Sequence, residues 1–270
     1  MKMLMQGLST GLVLFLLAGC SGSKLYKVPI ETYKKQVRTL AVLPLLVDRE
    51  GIVHPQADDV VTILLQEGKE VTPQLVERLR KKGGYFDVRL APPTGFTALG
   101  AVRSVVGEGA ATHFEYRYQP EAVAAVAEAS VADALLVVVM HGVTREEKRW
   151  NPYSARLEYL STSYRSILWT ADVVARDGTL LWRYTQPDAE VFLPLDYADF
   201  TEAYWNRVDE VEVKPITLAG LQRTLSAPNE GLFADKTLPR LYDGMVQKIV
   251  DELSPGLFSG LKKDAAPAEK

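Results

Sequence analysis

Cys20 is the only cysteine among 270 residues, and a lone thiol can fill a core, act as a nucleophile or carry a covalent group. The other residues that could do chemistry are scattered. His54, His113 and His141 stand far apart and fall in no HxxxH or HExxH spacing, so a zinc site would need all three to converge with a carboxylate. Gly107-Glu108-Gly109 lacks the third glycine of a dinucleotide loop and reads as a plain turn. Neither GxSxG nor SxxK occurs. The adjacent carboxylates Asp58-Asp59, Glu146-Glu147 and Asp209-Glu210 read as solvated edges or helix starts rather than acid–base pairs set across a substrate. A catalysed reaction, a metal and a bound cofactor are therefore not expected.

One stretch interleaves guanidinium and aromatic groups: Arg149, Trp150, Tyr153, Arg156, Tyr159 and Tyr164, followed by Arg165. Arg, Tyr and Trp dominate binding hot spots because they bury large areas at small entropic cost. The stretch is expected to be a contact surface for a protein or a glycan, or else an exposed hairpin whose aromatics cover a sheet. A second cluster, Tyr197, Phe200, Tyr204 and Trp205, is expected to pack an insertion onto the domain. The net charge of −3 gives no whole-chain basic signal for nucleic acid.

The surroundings of Cys20 decide among its three roles. Lys2 gives a short positive start, and Leu8 to Ala18 is almost wholly apolar or small. That run falls short of the ~20 apolar residues a spanning helix needs and has the proportions of a secretory signal core. Immediately before the thiol stands Leu17-Ala18-Gly19. With Cys20 it resembles the bacterial lipobox, which implies cleavage after Gly19, a diacylglycerol thioether on Cys20 and an N-acyl chain on the new amino terminus. Each buried methylene contributes about 0.8 kcal/mol, so two or three chains hold a protein at a membrane. Ser21 stands where aspartate retains such proteins in the inner membrane, so the resemblance implies a periplasm-facing outer-membrane lipoprotein in a cell with two membranes, or a cell-membrane lipoprotein in a cell with one. No second cysteine is available for a disulfide.

Behind these residues lies a pattern of short elements. Residues 20–36 are polar without sustained periodicity and read as a lipidated tether. Val37 to Val47 is near-continuously apolar, as a strand buried on both faces should be, with Pro44 near its exit. Asp58 to Gln66 fits a helix or a short strand. Pro73 to Lys82 reads as a helix capped by Thr72 and closed by Gly83-Gly84, and Tyr85 to Leu90 alternates as a strand. Ala91 to Phe114 reads as loop with one short helix. Pro120 to Ala129 reads as a helix, and Ala134 to Met140 as the strongest strand. Leu157 to Ala175 and Thr179 to Tyr184 flank the turn Arg176-Asp177-Gly178, a hairpin signal. Residues 186–235 read as an irregular insertion. Leu238, Leu241, Met245, Ile249 and Leu253 line one helical face, and 257–270 has the composition of a disordered tail.

Strand, helix, strand, helix, strand, hairpin and closing helix predict an α/β sandwich, a mixed sheet with flanking helices, as one domain over 37–256. The motifs Leu40-Ala41-Val42-Leu43-Pro44, Leu75 to Val88, Ala132 to Val137, and Val173 to Trp182 with Gly178 and Trp182 resemble those of a periplasmic group. Its members are the TolB amino-terminal domain, CsgG and LpoB-like lipoproteins. The resemblance implies a non-catalytic binding or adaptor module in envelope assembly or transport, held to the membrane by lipid and meeting another envelope protein. The alternative it implies is a subunit of a CsgG-like secretion pore. Against spanning hairpins, Leu157 to Ala175 carries Arg165 on one face and Asp172 on the other. Oligomeric state is left open.

Overall fold

A computed structural model describes residues 25–106, 113–153, 158–187, 190–207, 210–230 and 237–253. Gly19, Cys20, Arg156 and the tail 257–270 lie outside them. The chain is an α/β protein, a mixed sheet with helices on both faces.

In chain order the elements are α1 (Ile30–Gln36), β1 (Thr39–Val42), β2 (Leu46–Asp48), α2 (Ala57–Glu67), α3 (Val71–Lys82), β3 (Asp87–Leu90), β4 (Val102–Val106), β5 (His113–Arg117) and α4 (Pro120–Ala129). There follow β6 (Ala134–Trp150), β7 (Tyr159–Ala175), β8 (Leu180–Thr185), β9 (Leu193–Pro194), β10 (Asp196–Ala198), α5 (Phe200–Asn206), β11 (Val213–Pro215), α6 (Leu218–Leu225) and α7 (Arg240–Leu253).

The main sheet runs β3-β1-β6-β7-β8, with β2 also on β6 and β9 also on β7. β3, β1, β2 and β6 are parallel, while β7, β8 and β9 join antiparallel. The expected strand 37–47 is two strands. β1 lies along Ala134–Leu136 and β2 along Val139–His141, because Pro44 supplies no N–H to carry the ladder between them. β6 and β7 stay paired from Ala134↔Ala175 to Trp150↔Tyr159, far beyond their neighbours. Burial follows this geometry: Ala134 to Val143 is buried throughout, and burial then alternates to Trp150. The outer half of β6–β7 is thus a two-stranded ribbon.

Odd and even residues of the central strands feed two cores. On one face Leu136, Val138, Met140, Trp169 and Trp182 pack with α2, α3, α6 and α7 through Leu64, Leu75, Leu225 and Ile249. On the other, Leu135, Val137 and Val139 meet α4 and the β4–β5 hairpin through Val123, Ala127, Tyr116 and Tyr118.

Several expectations are corrected. α3 begins at Val71, and Thr72 is no cap; its hydroxyl donates to the Leu43 carbonyl at 3.1 Å. Ala91–Phe114, read as loop, contains β4 and the start of β5, a hairpin in full register from Val102↔Arg117 to Val106↔His113; flanking glycines and prolines hid its alternation. The insertion 186–235 carries β9, β10, α5, β11 and α6, elements too short to show a period. Its helices are capped, α5 by Asp199 accepting from the Glu202 N–H at 2.9 Å and α6 by Thr217. Residues 25–36 are no free tether. Tyr26 bridges to Trp182, the Arg183 N–H donates to the Leu25 carbonyl at 2.9 Å, and Tyr33 in α1 is buried beside Tyr26 and Tyr85. A seven-residue helix with one buried anchor, Tyr33, leaves no stripe to read.

Candidate functional site

The residues singled out in the arginine–aromatic stretch gather on the ribbon and divide by face. β-sheet pairing sets Trp150 directly opposite Tyr159, and their rings meet edge to face at 5.4 Å. Lys148 on the same face holds its ammonium 3.6 Å from the Tyr159 ring centre and 4.5 Å from that of Trp150. Trp150 is 65% exposed and Tyr159 40%. An indole and a phenol thus stand in water beside a cation, and the cation–π contacts restrict both rings.

The opposite face of the ribbon is structural. The Arg149 guanidinium lies 3.7 Å over the ring of Tyr164, which is fully buried, and donates to Glu147 and to the Asp196 carbonyl. Arg165, which alternation along β7 sets on the Tyr159 face instead, is structural too: it forms a two-pronged pair with the buried Asp196 carboxylate at 2.5 and 2.8 Å, and that contact holds its guanidinium above the ordinary range. Arg149 and Tyr164, expected to meet a partner, instead brace the ribbon, because alternation along a strand turns odd residues of β6 away from Lys148 and Trp150. Arg156 lies outside the described residues.

Tyr153 links the tip to the insertion. Its ring stacks on Tyr204 at 5.0 Å and its hydroxyl lies 2.9 Å from that of Thr201. Phe200 and Ala203 anchor α5 inward, while Tyr204 and the 74%-exposed Trp205 face water. The two aromatic clusters, separate in the sequence, are therefore joined through Tyr153. Beside them Asp199, Glu202, Ala203, Asn206, Glu210 and Glu212 line an open hollow of about 380 Å³, with Lys214 paired to Asp199, Glu202 and Glu212.

A second polar constellation, missed in the sequence, lies under the β4–β5 hairpin. Asp172, with no exposed surface, receives two bonds from Arg183 at 2.7 and 2.8 Å and one from the Tyr118 hydroxyl at 3.0 Å. Burial pushes the Asp172 carboxyl up, opposed by those donors. Arg183 also pairs with Glu115 at 2.8 Å. Next to it, Asp48 accepts from the Tyr116 hydroxyl at 2.9 Å and from Arg103 at 3.1 Å. His141 lies between Phe114 and Tyr116; neither ring nitrogen makes a well-formed hydrogen bond, and the Val139 backbone is the one polar group that favours its charged form. Burial, helped by Arg103, drives its pKa down to about 3, so the imidazole is neutral. The available signal was symmetry: counting outward from Asp177-Gly178 sets Asp172 opposite Arg183, as the register confirms. Paired and covered in this way, the groups tie the hairpin to the sheet.

His54 bonds the Ile216 carbonyl at 3.0 Å and His113 pairs with Glu115 at 3.6 Å. Among the described residues no three His, Cys, Asp or Glu side chains come together as a metal site, and no helix is long and apolar enough to cross a membrane.

No protein-family model and no curated protein matches this chain. Among solved structures, one described as a neuraminyllactose-binding hemagglutinin homolog from Helicobacter pylori is similar at 10% identity and a TM-score of 0.35, over 81% of this chain and 87% of that one. A likeness that weak carries no argument about fold or binding.

Proposed function

We propose that this chain is a lipid-anchored envelope lipoprotein, attached through Cys20 after cleavage behind Gly19, and that it works as a non-catalytic adaptor. Its ribbon tip meets another envelope protein. One observation carries the reading: Trp150 and Tyr159 are held exposed, with Lys148 between them, at the end of a ribbon with no third strand. From Val143 to Trp150 the ribbon extends seven residues, about 23 Å at ~3.3 Å per residue. The point where Leu25 joins the fold, beside Trp182 and Val173, lies fourteen residues of β7 from Tyr159, about 46 Å of strand. Cys20 to Leu25 spans at most ~17 Å. The ribbon is thus long enough to carry its aromatic tip well away from the lipid that the anchor occupies.

The experiment is crosslinking in the native envelope with a photoreactive residue in place of Trp150, and with Arg176 at the far end of β7 as control position. A defined envelope protein captured from position 150 and absent from position 176 is the expected result. Capture of none, or the same products from both positions, overturns the docking role. The anchor has its own test: Cys20→Ala is expected to abolish fatty-acid labelling and leave the precursor uncleaved, and a labelled mutant overturns it.

A further inference from the structure

We infer that β3, the open edge of the main sheet, pairs antiparallel with β3 of a second copy of this chain across a two-fold axis at Val88. Among the described residues β3 ends the strand order, with β1 as its sole sheet neighbour, whereas the β8 edge is covered by Leu25–Lys27. Phe86 and Asp87 both donate their N–H groups inward to the Arg38 carbonyl and Ala91 donates to Val42, so the N–H groups that alternation turns outward are those of Val88 and Leu90, within β3 itself.

The sequence along this edge is Phe86-Asp87-Val88-Arg89-Leu90. Laid antiparallel on itself about Val88, it sets Asp87 opposite Arg89 and Phe86 opposite Leu90, each twice by symmetry. Cross-strand partners of opposite charge stabilise a pair and like charges oppose it. Within one chain Arg89 already pairs with Asp87 at 2.6 Å and donates to the Ser130 and Val131 carbonyls, so the palindrome joins two such pairs into a cluster of alternating sign with no like charges directly opposite. Phe86 and Leu90 are strongly exposed, at 79% and 56%. Leu90 borders an open hollow of about 400 Å³ formed with Pro73, Val76, Glu77, Arg80 and Lys81 of α3. Pairing in this register brings the Phe86 ring of each copy against Leu90 of the other, at the mouth of that hollow. Knob and hole lie on one short segment, Phe86 just before β3 and Leu90 at its end, as a closed two-fold interface requires.

One contact guards the edge in the single chain: Arg80 donates from Nε to the Val88 carbonyl at 2.7 Å. Its side chain is 56% exposed and already lies 3.6 Å from the Asp87 carboxylate, so it can give up the carbonyl to an incoming strand and remain paired. The exchange makes the dimer reversible and concentration-dependent.

Sedimentation velocity of the full lipidated chain in mild detergent, across a hundredfold concentration range, reads the outcome. Wild type is expected to shift from one to two protein copies per particle. Arg89→Asp and Asp87→Arg, each placing like charges opposite one another, are expected to weaken association at least tenfold. The double exchange D87R/R89D restores the opposite-charge pairs and is expected to recover it. Far-UV circular dichroism confirms that each variant is folded, and Phe86→Ser, which leaves β3 and its charges intact, is expected to weaken the dimer too. Wild type that stays single at every concentration overturns the inference. So does association that survives both single exchanges, or a folded double exchange that stays single.

Discussion

His141→Leu tests the reading of the buried polar cluster most sharply. The imidazole is wholly buried between Phe114 and Tyr116, and neither nitrogen makes a well-formed hydrogen bond, with only the Val139 backbone nearby to favour a charge. Its pKa is about 3 in the fold against 6.5 for an ordinary histidine. Between those values the unfolded chain holds a proton that the folded chain does not. The stability this confers is fully present above pH 6.5 and is lost as pH falls, at about 1.4 kcal/mol per pH unit. From pH 7.5 to 4.5 the loss assigned to this one residue is about 3 kcal/mol. Leucine removes the titration. At pH 7.5 the variant should match or exceed wild type, because an unpartnered buried polar group costs ~1–3 kcal/mol. The assay is urea unfolding of both proteins at unit pH steps from 7.5 to 4.5. Taking the difference cancels the carboxylates common to both. The wild type is expected to fall below the variant progressively on the acid side. Parallel pH profiles would refute a neutral, unpartnered His141.

Three further outcomes follow from the same structure. Asp172→Asn removes the fully buried one of the two carboxylates on Arg183 and leaves it with the partly exposed Glu115, so unfolding should show a loss of about 3 kcal/mol, while the double change Asp172→Leu with Arg183→Met should recover much of it. Gly142→Ala drives a methyl group to 2.8 Å from the Ile52 Cα, against the Gly51 carbonyl, and should cost about 1–3 kcal/mol in thermal unfolding. Trp150→Ala and Trp205→Ala remove exposed rings and should leave stability within about 0.5 kcal/mol; loss of envelope crosslinking from Tyr159 in those variants, at unchanged stability, is the accompanying readout for the tip.

Much of the scaffold was legible locally. Pro120–Ala129 is the expected helix with proline at its first position, Gly83 closes α3 in a left-handed conformation, and Asp177-Gly178 turns β7 into β8. Each of these is set by the backbone preferences of a few adjacent residues. The short strands β3 and β8 were legible because a glycine turn bounds each, whereas α1, β9, β10, β11 and α6 contain too few side chains to show a period and exist through contacts such as Tyr33 with Tyr85 and Asp196 with Arg165.

The same division runs through the candidate site. The amino-acid sequence alone determined that arginines and aromatics alternate along one β-rich stretch, and that Leu17-Ala18-Gly19-Cys20 reads as an anchoring signal. Only the tertiary structure decided which rings meet water. β6 outruns β1 and β2 and so leaves a bare ribbon, strand alternation exposes Trp150 and Tyr159 while burying Tyr164, and the insertion folds back to set Tyr204 on Tyr153. Exposure at the tip depends on where neighbouring strands stop, and that is a property of pairing between distant segments rather than of any one of them.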